Sequence, residues 1–178
     1  IEIGFREGIR DALGEKIKRR INEHLHLPVA AVRTVEVYTL DGEFTRDEME
    51  RAAAGPLCDA VIQRYAIDAA LVGDDFDWLI EVGFRPGVTD NVGKTAREAI
   101  AILLGIPTAS RPFRVHTSRQ YLLRGTLSRE EAERIASQLL ANDLIERYEV
   151  VARADWDPVR GLAPHVPRVT GTVNPAIE

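Results

Sequence analysis

The strongest constraint on the fold of this chain is an internal repeat. Segment 1–25 aligns with segment 80–104 at a constant offset of 79, and ten of the 25 aligned positions are identical. Farther along, two shorter segments recur at an offset of 83: TRDEMERAA recurs as SREEAERIA, and VIQRY recurs as LIERY. The second copy carries about four extra residues, and this self-similarity indicates a tandem duplication of a unit of about 75 residues.

Each copy reads as strand, helix, strand, helix, strand. The first strand alternates apolar and polar residues, as in Ile1, Ile3 and Phe5, which is the period of a half-buried strand. Apolar residues then follow at helical spacing. They are Leu13, Ile17, Ile21 and Leu25 in the first copy, and Val92, Ala96, Ile100 and Leu104 in the second. The other predicted elements are the middle strands at 33–40 and 113–123, second helices that begin at the capping boxes Thr45/Glu48 and Ser128/Glu131, and last strands near Tyr65 and Tyr148.

The fold class that follows is α+β. One unit of three strands and two helices buries little surface alone, so we expect two ferredoxin-like β-α-β-α-β units to form one pseudo-twofold domain. We predict repeat 1 at 1–72, repeat 2 at 77–154, and an extended Pro-rich arm at 155–178 that leads towards a further domain. The sequence leaves open whether the two sheets stack or join into one.

A Gly-Lys-Thr sequence in the second copy suggests a phosphate-binding loop, but its spacing does not fit. Five residues separate Gly87 from Gly93, whereas the nucleotide-binding loop has four. The first copy has Glu15 and Lys16 where the second has Lys94 and Thr95. The two copies share Gly-x-x-Asp-x-x-Gly instead, and its residues are Gly8, Asp11 and Gly14, and Gly87, Asp90 and Gly93.

The shared motif predicts structure rather than catalysis. A glycine turn ends the strand, the aspartate caps the next helix, and the second glycine lets the helix approach the sheet. Weak anion binding at the helix N-terminus is the alternative interpretation.

Composition narrows the class of partner and the compartment. The net charge is -5 and no basic block is present, which argues against nucleic acid as a partner. The apolar runs are too short to span a membrane. A single cysteine excludes an internal disulfide and is typical of the cytoplasm, where we expect this protein.

The duplicated motif resembles the PurS family. The segments that carry this resemblance are GVTDNVGKTAREAI, after a short strand, and LLANDLIERYEV, which leads into the last strand. The resemblance extends over the second copy, 78–154. It is looser over the first copy, where GPLCDAVIQRY departs from the LLAN pattern.

PurS is the small subunit of phosphoribosylformylglycinamidine (FGAM) synthase, an ATP-dependent ligase of purine biosynthesis. PurS proteins pair as dimers, and large single-chain synthases carry a PurS-dimer-like domain at their N-terminus. The resemblance therefore implies a non-catalytic assembly domain that helps to enclose a path for ammonia. It implies partners in a synthetase domain, which uses ATP and Mg, and in a glutamine amidotransferase part. No cofactor and no catalytic residue are expected in this segment itself.

Other chemical candidates have simple structural interpretations. Cys58 has no nearby base and is expected to be a buried structural residue. Four scattered histidines and one cysteine give no metal site, and the acidic segment DDFDW is expected to be a solvated linker. Trp78 and Trp156 flank the second copy, where they pack together or anchor a neighbouring domain.

One polar segment is a candidate interface. Its side chains are His116, Arg119, Gln120, Tyr121 and Arg124, and Arg111 and Arg114 extend the patch. Two interpretations remain open, an exposed ladder on the solvent face of the sheet and a docking surface for a partner.

Two functions follow from the sequence. The first is the FGAM synthase assembly domain. Whether the chain also associates with copies of itself is left open by the sequence. The second is a small-metabolite-sensing module of the paired ferredoxin-like type.

Overall fold

A computed structural model describes residues 1–107 and 111–168. Within these residues, six strands and four α-helices follow one another as β-α-β-α-β twice, so that β4 comes directly after β3. The strands are β1 (Glu2–Phe5), β2 (Ala31–Asp41), β3 (Gln63–Ala66), β4 (Trp78–Phe84), β5 (Arg114–Arg124) and β6 (Glu146–Ala152). The helices are α1 (Ala12–Arg20), α2 (Arg46–Ala52), α3 (Asn91–Leu104) and α4 (Arg129–Ile135). Helices α1, α2 and α4 each continue into a five-residue π-helical turn.

All six strands form one continuous sheet in the order β3-β1-β2-β5-β4-β6, and every neighbouring pair is antiparallel. Strands β1, β2 and β3 of the first repeat correspond to β4, β5 and β6 of the second. From either edge of the sheet inwards, the third strand of a repeat comes first, then its first strand, then its second strand. The two halves therefore join edge to edge through β2 and β5, and do not stack. This α+β architecture confirms the predicted fold class and settles how the halves meet. The domain boundaries stay predictions.

The four helices cover one face of the sheet, and each packs against a helix of the other half. Helices α1 and α4 share a core that includes Ile17, Ile21 and Ile135. Helices α2 and α3 share a second core around Ala52 and Ile100. The apolar stripes of the two halves thus bury each other, so neither half has a separate helical core.

The opposite face of the sheet is covered by irregular chain. Val35 and Leu122 of the central strands pack there against Phe76 and Trp156. Phe76 is 2% exposed, and its ring meets the Trp156 ring edge to face at a centroid distance of 5.6 Å. The DDFDW segment is therefore a linker whose three aspartates are exposed, while its aromatic residue anchors it to the sheet. The two tryptophans do not pack together, since the Trp78 ring belongs to the helical face, where its Nε1–H donates to the Leu127 carbonyl at 3.0 Å.

The predicted helix stripe of the second half is shifted at its start. Ala96 and Ile100 are buried as predicted, but Val92 is 56% exposed. Helix α3 begins at Asn91, and the buried stripe starts at Gly93 because that residue lies against the sheet. Val92 therefore points away from the core in the first turn.

The centre of the β2–β5 seam brings together two residues of opposite charge. Glu36 lies directly opposite Arg119, and Thr34 and Tyr38 lie opposite Tyr121 and Thr117. Because Glu36 and Arg119 are related by the repeat offset of 83, the pseudo-twofold axis passes between them. The Arg119 guanidinium donates to the Glu36 carboxylate at 3.1 Å. Two identical chains would instead place one residue type against itself at this point.

Reversing the charge at this position is expected to weaken the seam. Arg119→Glu puts two carboxylates opposite each other, which should lower the free energy of unfolding by roughly 1–2 kcal/mol, since the side chains are partly exposed. The double exchange Glu36→Arg with Arg119→Glu restores an opposite-charge pair and should recover most of that loss. Urea denaturation of the single and double variants measures both effects, and an equally unstable double variant would contradict the role of this pair.

Candidate functional site

The two aspartates of the repeated motif each tie a helix start to a central strand. Asp90 caps α3, and its carboxylate accepts hydrogen bonds from the Gly93 amide at 2.7 Å and from the Thr117 amide at 2.6 Å. Asp11 caps α1 in the same way, and accepts from the Gly14 amide at 2.7 Å and the Thr34 amide at 2.6 Å. The Thr34 and Thr117 hydroxyls also donate to these carboxylates. We call these two arrangements the aspartate clamps.

The glycines of the motif are required by close packing and by the turn. A Cβ atom on Gly14 would lie 2.3 Å from the Val32 carbonyl oxygen, and one on Gly93 would lie 2.3 Å from that of Val115. No side chain fits at that distance, so each helix touches its strand through glycine. Gly8 and Gly87 end β1 and β4 with φ of 78° and 86°, a conformation that favours glycine.

The clamp geometry leaves little room for a phosphate at α3. The Asp90 carboxylate already takes the Gly93 amide, which is one of the donors that a bound anion would use. Lys94 is exposed, and the Thr95 hydroxyl donates to the Asn91 carbonyl at 3.0 Å within the helix. Gly-Lys-Thr is therefore an ordinary first turn of a capped helix.

Substitutions can separate the clamp from a phosphate-binding role. Asp90→Ala removes the cap and the bonds to Thr117 together, and should lower the free energy of unfolding by about 2–4 kcal/mol. Lys94→Ala changes an exposed side chain and should stay within about 0.5 kcal/mol of the parent chain. Chemical denaturation measures both, and ATP titration of the parent chain serves as the control. A stabilisation by ATP that Lys94→Ala abolishes would contradict this interpretation.

The five candidate interface side chains do not form one surface. Strand β5 lies in the middle of the sheet, so alternate residues point to opposite faces. Arg119 and Tyr121 face the helices, whereas His116, Gln120 and Arg124 face the irregular chain. The exposed-ladder interpretation was wrong, because Gln120 is 1% and Tyr121 7% exposed.

A docking role for the remaining arginines stays a prediction. Arg124 is exposed and pairs with Asp75 at 3.4 Å. Arg114 is also exposed, whereas Arg111 pairs with Glu48 at 2.8 Å and lies over the Phe44 ring.

A buried polar cluster joins the two halves on the face opposite the helices. The Gln120 side-chain amide donates to Glu81 at 2.9 Å and to Glu2 at 3.3 Å. Glu2 and Glu81 are equivalent positions of the repeat and are 8% and 6% exposed. Burial is the main reason why the pKa of Glu2 is raised, although hydrogen bonds from the Leu71 amide and from Gln120 oppose that shift. The Gln120 Oε1 accepts no hydrogen bond from any described residue.

Next to this cluster lies a cavity of about 440 Å³. Glu2, Glu81 and Gln120 line one side, and segment 157–165 lines part of the other. The remaining wall includes apolar side chains such as Val37 and Leu40. Polar acceptors and apolar surface together are typical of a small-molecule site. The sequence did not reveal this cluster, because a glutamate in each first strand looks like the solvent side of an alternating pattern.

The other chemical candidates behave as structural residues. Cys58 is buried, and desolvation raises the pKa of its thiol. Within residues 1–107 and 111–168, no group of three His, Cys, Asp or Glu side chains is placed to hold a metal ion. No helix in those ranges has the length and apolar content needed to cross a membrane.

Comparison with known proteins identifies the class of the first half. Paired β-α-β-α-β units in one antiparallel sheet define a ferredoxin-like α+β protein. Residues 1–70 match the model of the PurS family, described as Phosphoribosylformylglycinamidine (FGAM) synthase. No curated protein matches the chain. Residues 1–70 thus form a unit that is similar to the PurS family of FGAM synthase. The match lies on the first copy, although the motifs quoted from the sequence resemble PurS more closely in the second.

Proposed function

We propose that this chain is a non-catalytic assembly domain of FGAM synthase. The observation that carries the proposal is the PurS-like unit at residues 1–70, whose strand β2 is paired over its full length with β5 of a second unit of the same element order. The arrangement is what a PurS dimer would look like within a single chain. The aspartate clamps support a scaffold role. The Asp11 and Asp90 carboxylates, the most reactive groups of the repeated motif, accept hydrogen bonds that hold helices to strands.

Two exposed apolar turns offer contacts for the catalytic parts. Val61 is 81% exposed before β3, and Leu144 is 83% exposed at the equivalent position before β6. Large apolar side chains that stay in water at both ends of one sheet are suited to bind a partner. We infer that the synthetase domain, with its ATP and Mg, and the amidotransferase part meet the sheet at these ends. The domain then fixes the position of the amidotransferase part relative to the synthetase domain, so that ammonia can pass between them. It supplies no reacting group itself.

The test uses the chain together with the synthetase and amidotransferase parts of FGAM synthase. Val61→Asp with Leu144→Asp should lower glutamine-dependent FGAM formation at least about tenfold, because apolar anchors dominate such contacts. FGAM formation from ammonium chloride should fall much less, since it does not need a coupled amidotransferase. Val159→Asp changes another exposed apolar side chain, 73% exposed, and serves as the matched control.

Two results would overturn the proposal. One is ATP turnover with formylglycinamide ribonucleotide, or glutamine hydrolysis, by the chain alone. The other is a double variant that folds normally and leaves the glutamine-dependent rate unchanged, while removal of the whole chain also has no effect.

The second candidate function is a small-metabolite-sensing module, and the cavity beside Gln120 is the observation that favours it. Two buried carboxylates and an unpartnered amide oxygen, among the described residues, would bind a ligand that donates hydrogen bonds. The ligand would contact both halves of the sheet and so bias how they pack.

Thermal denaturation with amino acids, nucleotides and purine intermediates tests the sensing function. A ligand present at 100 times its Kd stabilises the folded chain by about 2.7 kcal/mol, which is a rise in Tm of roughly 5–10 °C at this size. Gln120→Leu should remove that rise if the ligand binds at the cluster, and Glu98→Gln, an exposed change on α3, should not. A flat response across the panel would exclude the sensing function for these ligand classes.

A further inference from the structure

The two halves of the sheet carry equivalent grooves that differ in one respect. The first groove lies at the end of β1 and the second at the end of β4. Seven residues that line the first groove have repeat partners that line the second. They are Phe5, Ile9, Asp11, Arg33, Thr34, Val35 and Arg64 in the first groove, and Phe84, Val88, Asp90, His116, Thr117, Ser118 and Arg147 in the second. The strand register agrees, since Gly4 pairs with Arg64 and Gly83 with Arg147.

The second groove is occupied by the protein's own chain. His165 and Pro167 line it together with Thr39, and Pro167 is half-buried. The space left in it is about 20 Å³. The first groove holds about 750 Å³, and no residue of segment 157–168 lines it. The chain thus shows what this type of groove accommodates, a proline-containing segment that belongs to no helix or strand.

We infer that the first groove binds an extended, proline-containing segment of a partner protein that carries a carboxylate. Proline restricts the unbound segment to extended conformations, which lowers the entropy lost on binding. The Phe5 ring offers the apolar wall against which such segments pack.

The charges of the first groove favour an acidic segment over a copy of the chain's own tail. Arg6, Arg33 and Arg64 line it against Glu7 and Asp11. Arg33 already pairs with the Asp75 carboxylate at 3.5 Å, so the attraction for an incoming carboxylate comes mainly from Arg64. The Asp11 carboxylate is already taken by the clamp, with hydrogen bonds from Gly14 and Thr34. In the second groove, His116 stands in place of Arg33, and Arg147 lies 3.9 Å from the Glu81 carboxylate. Arg64 is exposed, so its guanidinium is available to a carboxylate of the partner.

The groove would bind such a segment whether or not the chain works in FGAM synthase, so the experiment uses the chain alone. The probe is a seven-residue peptide copied from 162–168 with Glu at the positions of His165 and Arg168. It is titrated into the ¹⁵N-labelled chain. Amides around the first groove, such as those of Gly8 and Arg64, should shift in a saturable way with a Kd of about 0.1–1 mM.

Two variants show whether binding is specific to the groove. Arg64→Glu should weaken the peptide at least about tenfold, because it replaces attraction by repulsion. Arg20→Glu makes the same change on an exposed position of α1, outside the groove, and should change the Kd by less than about twofold. Replacing both prolines of the peptide by serine should also weaken it, whereas scrambling the order of residues should abolish the saturable shifts.

Several outcomes would overturn the inference. These are the absence of shifts at the first groove, shifts confined to the second groove, and equal losses for Arg64→Glu and Arg20→Glu. A further one is a change of the first-groove amides on diluting the free chain, which would show that the occupant is the tail of a second copy. The spectrum of each variant without peptide reports whether it is folded.

Discussion

The antiparallel pairing of β2 with β5 is the interaction on which the rest of the structure depends. It joins two three-stranded units into one six-stranded sheet over the 11 residues of each strand. Because β2 and β5 are central, the helices above them are brought close enough to share cores across the seam. The buried Gln120 bridge to Glu2 and Glu81 exists only because the same pairing places the two first strands on either side of β2 and β5.

Local signals in the sequence predicted most of the elements. The capping boxes at Thr45 and Ser128 form as expected, and Asp11 and Asp90 cap helices. Such features depend on residues a few positions apart, and the repeat displays each of them twice. The single cysteine is buried, as expected for a thiol with no nearby base in the sequence.

Features that depend on strand pairing between residues far apart in the sequence could not be predicted from local patterns. Nothing local in the segment around Gln120 reveals that β5 lies in the middle of a sheet with both faces covered, so its polar residues looked exposed. The opposition of Glu36 and Arg119 requires the register of the seam, which no short motif encodes. The grooves became comparable only when strand pairing showed that Arg64 and Arg147 occupy matching places.

The placement of both seam strands in one chain also changes how the paired state responds to concentration. Two separate subunits would dissociate on dilution, whereas a covalent connection through segment 67–77 turns their association into an intramolecular step with a fixed effective concentration. The paired sheet is then equally complete in a dilute and in a concentrated solution. In a symmetric dimer, the residue at the twofold axis meets the same residue of the other subunit. In a connected pair the two residues can differ, and here Glu36 lies opposite Arg119 at the axis.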